Sequence, residues 1–227
     1  MTEHHAGMQR VIAVIGTAGR DKQFPMDISH WEFICRAVRF YVRPGDHLVS
    51  GGAAWADHAA VWAFNEGLSA SLTLHLTAPF EASFSGGNGT SGGAANHYHR
   101  QFSRAIRRDT LADIQEAILG GAQCTYQAEC KGYAAMFARN RLVAEQCTHV
   151  LAFTFGEGAE PADGGTKPIV RDGLTTTPQP LWLSVRFSPN SAAPPYQGHM
   201  GHGWPEENTP AFKLEAALAA WVLRAWP

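Results

Sequence analysis

The sequence predicts a single α/β domain built on a mainly parallel central sheet, and three features of the chain carry that prediction. A β-branched run, Val11 to Ile15, ends in the turn Gly16-Thr-Ala-Gly19. The pattern of apolar run, glycine turn and helix recurs at His47 to Gly52. Two more apolar runs, His149 to Phe155 and Leu181 to Phe187, follow in the second half. Continuous apolar runs of this length read as strands buried on both faces, as parallel sheets require.

Taken in order, Val11 to Ile15 is strand one. From Asp27 to Val42, apolar Ile28, Trp31, Ile34, Val38 and Tyr41 recur at helical spacing, and Pro44-Gly45 stops the helix. His47 to Ser50 is a second strand, followed by an alanine-rich helix from about Ala53 to Glu66 with Gly67 suited to its C-terminal cap. Leu72 to Leu76 completes a βαβαβ half, for which right-handed crossovers are expected. Ser85 to Gly93 is too glycine-rich for a core element and too long for an ordinary connection, so it reads as a candidate lid. Helices are expected near Asn96 to Arg108, Leu111 to Leu119 and Gly132 to Gln146. Strands at His149 to Phe155 and Leu181 to Phe187 flank an acidic, glycine-rich turn through Asp163-Gly-Gly-Thr166. Phe212, Leu214, Leu218, Trp221 and Val222 mark a terminal amphipathic helix. The whole is a Rossmann-like three-layer sandwich with a core over about 10–187 and a C-terminal loop and helix over 188–227.

Composition narrows the function classes. A chain that is 45% hydrophobic and 17% charged is globular, and so few charges imply a large interior or a subunit interface, so a homo-oligomer is expected. Net charge −2 and a pI near 6.6 argue against a nucleic-acid binder that relies on bulk positive potential. The longest apolar runs fall far short of the roughly 20 residues a membrane span needs. The first ten residues carry no secretory pattern, so a cytoplasmic location with reduced Cys35, Cys124, Cys130 and Cys147 is expected.

In a parallel sheet, ligands bind beyond the carboxyl ends of the strands, where turn amides and helix N-termini converge. Three glycine-rich turns fall there: Gly16-Thr-Ala-Gly19, Ser50-Gly-Gly52 and Asp163-Gly-Gly-Thr166. Each exposes backbone N–H groups without a side chain to block a phosphate. Asn96-His-Tyr-His-Arg100 is a second polar cluster, in which His97 or His99 is a candidate ligand donor or proton carrier. With Cys124 and Cys130 it matches no common zinc spacing, so no metal and no cofactor are expected. Arg100, Arg104, Arg107 and Arg108 share a helical face, read as solvated, with phosphate or single-stranded nucleic acid as the alternative. Trp55 and Trp62 follow the second glycine turn and are read as core or interface residues, with stacking on a base as the alternative.

The order Gly16-Thr-Ala-Gly-Arg20, Ser50-Gly-Gly-Ala-Ala-Trp-Ala-Asp57, Ala138-Arg-Asn140 and a final Gly-Gly-Thr resembles the SLOG superfamily over about Val11 to Val185. That group includes DprA-type DNA-processing proteins, Lonely Guy phosphoribohydrolases and molybdenum-cofactor carrier-like proteins. The resemblance implies nucleotide-related ligands at the glycine turns. It assigns ligand contacts to Gly16, Gly19, Arg20, Ser50, Gly51, Gly52, Arg139, Asn140, Gly164, Gly165 and Thr166, and Thr17 within the first turn is a further candidate.

One departure bears on activity. In the phosphoribohydrolases a glutamate follows the last glycine turn, whereas here Lys167-Pro-Ile-Val-Arg171 follows, with no carboxylate until Asp172. Cleaving an N-glycosidic bond builds positive charge on the ribose, so another acid would be needed. Asp57, Glu157 and Asp163 are the leading candidates, with Glu129 and Glu160 also available. Three readings stand: a nucleotide-binding protein that hydrolyses the N-glycosidic bond of a nucleoside phosphate, a non-catalytic nucleotide sensor or sequestering protein, and a DprA-like single-stranded nucleic-acid binder. A small-molecule nucleotide is the expected partner, ahead of nucleic acid, and no membrane partner is expected.

Overall fold

The computed structural model describes residues 9–20, 25–126, 133–155, 181–187 and 199–200. Seven strands form one sheet in the order β4-β3-β2-β1-β5-β6-β7. They are β1 (Val11–Gly16), β2 (His47–Ser50), β3 (Ser71–Leu76), β4 (Gln123–Tyr126), β5 (His149–Phe155), β6 (Leu181–Phe187) and β7 (His199–Met200). All neighbours pair in parallel except β7, which runs antiparallel to β6. The α/β, mainly parallel expectation therefore holds. No helix among the described residues is long and apolar enough to cross a membrane.

The central strands sort their side chains by parity, as a two-faced sheet must. Ile12, Val14, Leu48, Leu72, Leu74, Leu151 and Phe153 pack under α1 (Ile28–Tyr41), α2 (His58–Asn65), α3 (Ser91–Ile106) and α4 (Thr110–Leu119). Ala13, Ile15, Val49, Val150 and Ala152 meet Val143 and Ala144 of α5 (Tyr133–Gln146), and Cys147 just after it, on the other face. Each fully buried Leu, Ile or Phe contributes roughly 1.5–3 kcal/mol. Trp55 and Trp62 are both in the core: Trp55 lies against Phe102, ring centroids 4.5 Å apart, and Trp62 meets Trp31 edge to face. In α1, Asp27 caps the N-terminus in a reciprocal capping box with His30. The predicted apolar stripe is buried there except for Ile28, which is 45% exposed in the first turn.

Three element expectations are corrected. α2 starts at His58, not near Ala53, because Trp55 takes a left-handed φ of 67° and the preceding residues form turns. α3 starts at Ser91, capped by the Thr90 hydroxyl, so Gly92 and Gly93 lie in its first turn and not in a lid. Gly92 is buried, and a Cβ there would meet the Ser85 carbonyl oxygen, so the loop is seated directly against the helix. The Asn96 amide further pins Phe84 by bonding both its N–H and its C=O. β4 was not anticipated: Gln123-Cys-Thr-Tyr126 is an exposed edge strand without apolar alternation. The expected turn at 163–166 and the helix marked by Phe212 to Val222 lie outside the described residues.

A polar layer is buried between α2, α3 and α4. His99 is wholly buried, with Nε2 3.0 Å from the Gly52 carbonyl and Nδ1 2.9 Å from the Thr110 hydroxyl. A carbonyl only accepts, so Nε2 carries the proton and Nδ1 accepts from Thr110. Beside it His58 donates to Asp113, which Arg108 also holds through Nε at 2.8 Å. Burial drives the pKa of His99 down to about 3 and lowers that of His58 as well. Burial raises the carboxyl of Asp113, but His58 and Arg108 outweigh it and leave the group below its usual range.

Two predictions follow from this packing. A methyl group on Gly16 would overlap the Phe153 carbonyl oxygen, and φ there is +153°. Gly16→Ala is expected to lower stability by about 3 kcal/mol or more in urea unfolding, and a loss below 1 kcal/mol would contradict the packing. A histidine whose pKa falls on folding binds protons preferentially in the unfolded state, so its stabilisation is full above the unfolded pKa near 6.5 and declines below it. For His99 the decline spans pH 6.5 to about 3, at up to about 1.4 kcal/mol per pH unit. His99→Gln supplies an amide donor and acceptor without a titrating ring, so its unfolding free energy should fall less steeply between pH 6.5 and pH 5. Equal slopes for the two proteins would refute the assignment.

Candidate functional site

β1, β2 and β3 all point their carboxyl ends at one cleft, and α3 and α5 close its sides. Its lining includes Ala18 and Arg20 after β1, Gly51 to Ala54 after β2, Thr77 after β3, Ser91, Ala95 and Tyr98 of α3, and Met136 and Arg139 of α5. The structure thus brings the first two glycine turns together with Arg20 and Arg139. Asn140 is buried next to Arg139. Gly164, Gly165, Thr166, Glu157 and Asp163 lie outside the described residues, as do Glu129, Cys130 and Glu160.

The first glycine turn uses its own amides to hold its shape. Gly16 N–H donates to Asp57 Oδ1 at 3.2 Å, Thr17 N–H to the Phe153 carbonyl at 2.8 Å, and Gly19 N–H to the Thr17 hydroxyl at 3.2 Å. The Thr17 carbonyl in turn accepts from Ala56 N–H. Gly19 is left-handed and packs so closely on the Trp55 indole that a side chain there would overlap the ring. These groups brace the turn and present Arg20 to the cleft.

Asp57, a candidate acid in the sequence, is buried behind the second turn. Burial raises its pKa, opposed by the charges of Arg139 and Arg20 and by the N–H groups of Gly16 and Ala53. It is a tie between the two turns, and its carboxylate does not line the cleft. Ser50 is also committed, since its hydroxyl lies 2.8 Å from the Val14 carbonyl and 3.0 Å from that of Asp57. That side chain links β1, β2 and the approach to α2 and has no hydrogen left for a ligand.

The second turn is the open one. Arg139 reaches it from α5: Nη1 donates to the Gly51 carbonyl at 3.3 Å, and Nε and Nη2 donate to Asn140 Oδ1 at 3.2 and 2.9 Å. Burial pulls its pKa down and Asp57 pulls it up, but a guanidinium keeps its charge in proteins. Gly51 is required by this approach, because a Cβ there would lie 2.6 Å from Arg139 Nε and 2.7 Å from Asp57 Oδ2. Arg20 stands over the Tyr98 ring at 4.9 Å and within 4.0 Å of the Met136 sulfur. No Asp or Glu among the described residues lines the cleft, so two guanidiniums set its electrostatics.

The histidine pair divides. His99 lies beneath the cleft, where its ring positions the Gly52 carbonyl and is closed to solvent. His97 is exposed and bonded to Gln101 on the outer side of α3. Neither lines the cleft. Tyr98, between them, does line it; its place on the Ser91, Ala94, Ala95 stripe of the helix was the available signal. Among the described residues no group of three or more His, Cys, Asp or Glu side chains is arranged to hold a metal ion.

Comparison with known proteins places the chain in a family without supplying an activity. No family model matches it. A solved structure of DNA processing protein A from Helicobacter pylori, described for its single-stranded DNA binding mode, overlays on 74% of each chain at 19% identity with a TM-score of 0.36. An uncharacterized protein of Acanthamoeba polyphaga mimivirus is 35% identical over 170 residues, which is 68% of this chain and 86% of the viral protein. On that match, the chain belongs to the same protein family as the mimivirus protein.

Proposed function

We propose that the cleft binds the phosphate of a nucleotide or nucleotide-derived small molecule. The observation that carries this reading is the Arg139 guanidinium held at the Gly51 turn, facing a cleft that Arg20 also enters and no described carboxylate lines. Glycine at 51 lets Arg139 close on the turn, and a guanidinium suits the paired oxygens of a phosphate. The order of the turns, which resembles the SLOG superfamily, supports the same ligand class.

Binding accounts for the arrangement without bond cleavage. An N-glycosidic hydrolase needs an acid or nucleophile at the ribose, and Asp57 is buried with its oxygens turned to the N–H groups of Gly16 and Ala53. The favoured role is a protein that senses or sequesters a nucleotide.

The test is calorimetric titration with AMP, NAD, ADP-ribose and deoxynucleoside monophosphates, with the products examined by chromatography. Arg139→Ala is expected to weaken the best ligand by about 1.5–3 kcal/mol, and Arg139→Lys to recover only part of that. Gly51→Ala pushes a methyl group into Arg139 and should cost at least as much binding while the circular dichroism spectrum stays native. Equal affinity in all four proteins would remove the ligand from this cleft. A free base in the products would replace binding with hydrolysis.

A further inference from the structure

The outer face of α3 carries charges that neither the fold nor the cleft uses. Arg100, Arg104 and Arg107 line an open concavity of about 450 Å³ where α3 meets α4, with Ser103, Arg108, Asp109 and Leu111 completing it. Arg108 is engaged by Asp113. Asp109, the acid on the rim, spends Oδ1 on the N–H groups of Leu111 and Ala112 as the cap of α4. Among the described residues no carboxylate forms an ion pair with Arg100, Arg104 or Arg107.

This clustering works against the helix that carries it. Arg100 and Arg104 are one turn apart, and like charges at that spacing disfavour a helix. The carbonyls at the C-terminus favour a cation in the last turn, which accounts for Arg104 but leaves Arg100 unexplained. Arg107 is the C-cap residue at φ 55° and ψ 39°, a left-handed conformation in which glycine is the unstrained choice. Its N–H bonds the Ser103 carbonyl, as does that of Arg108, so the cap uses only backbone and has no need of a guanidinium. α3 shows Ser91, Ala94, Ala95 and Tyr98 to the cleft. At 100° per residue the arginine stripe falls on the opposite side, so the concavity is a separate place.

We propose that the concavity of Arg100, Arg104 and Arg107 binds a compact polyphosphate group, such as the di- or triphosphate of a small ligand. Three guanidiniums lining one hollow, without an ion pair among the described residues, match several phosphate oxygens at close spacing. A nucleic-acid strand fits less well, because the chain carries net charge −2 and the lining holds no aromatic ring on which a base can stack.

The test titrates the full chain with tripolyphosphate at low salt, where exposed charges are least screened. Arg100→Ala and Arg104→Ala, each made in the Arg139→Ala protein so that the phosphate cleft does not report, are expected to weaken binding about tenfold. Arg107→Gly separates site from fold: it relieves the left-handed strain, so the thermal midpoint holds or rises while affinity drops about tenfold. Unchanged affinity in the three surface variants overturns the proposal. An oligothymidylate run in parallel is expected to bind no more tightly than tripolyphosphate. Binding more than about tenfold tighter would replace the compact ligand with a nucleic-acid strand.

Discussion

Asp57 is a carboxylate withdrawn from water, and its partners come from both glycine turns: Gly16 N–H at the end of β1 and Ala53 N–H after β2. Its own backbone carbonyl meets the Ser50 hydroxyl, which also lies against Val14 in β1. Each strand end taken separately is an ordinary strand-to-helix turn. Joined through one buried acid, they become a single rigid rim. The desolvation cost of that acid is offset by amide dipoles and by the nearby Arg139 charge, which is how a buried carboxylate is tolerated at all.

A division of labour follows. The first turn is closed on itself, with the amides of Gly16, Thr17 and Gly19 all satisfied inside the protein. The second turn faces the cleft and is supported from below by the neutral ring of His99 on the Gly52 carbonyl. The two arginines come from different elements, Arg20 from the first turn and Arg139 from α5. Glycine-rich sequence at two strand ends therefore has two physical meanings here: backbone packing within the turn in one, the close approach of a guanidinium in the other.

Much of this was legible in the chain. Apolar runs located β1, β2, β3, β5 and β6, the first two sharpened by the glycines that end them, because strands buried on both faces leave a continuous apolar trace. β4 left none, since an edge strand exposed along its length needs no apolar residue. The start of α3 was misplaced because Gly92 and Gly93 read as flexible, whereas they are there to let the helix approach the Ser85 and Gly87 carbonyls. Arg20, Arg139 and the glycines of the cleft were found from their order along the chain. The structural duties of Asp57, Ser50 and His99 were not, because a buried polar side chain looks the same in sequence whether it serves a ligand or a neighbouring carbonyl. Only the direction of its hydrogen bonds separates the two.

The position of β1 in the strand order sets a hazard during synthesis. β1 lies between β2 and β5. It is made first, yet the hydroxyl that accepts from Val11 N–H belongs to Thr148, 137 residues further along. At about 5–20 residues per second a ribosome takes on the order of ten seconds to supply it. Throughout that interval Ile12 to Ile15 has a row of unpaired backbone groups on one side, a ready template for a strand of a neighbouring nascent chain. The arrival of β5 closes that edge. How soon β5 is made and pairs therefore sets how long that edge of β1 stays open.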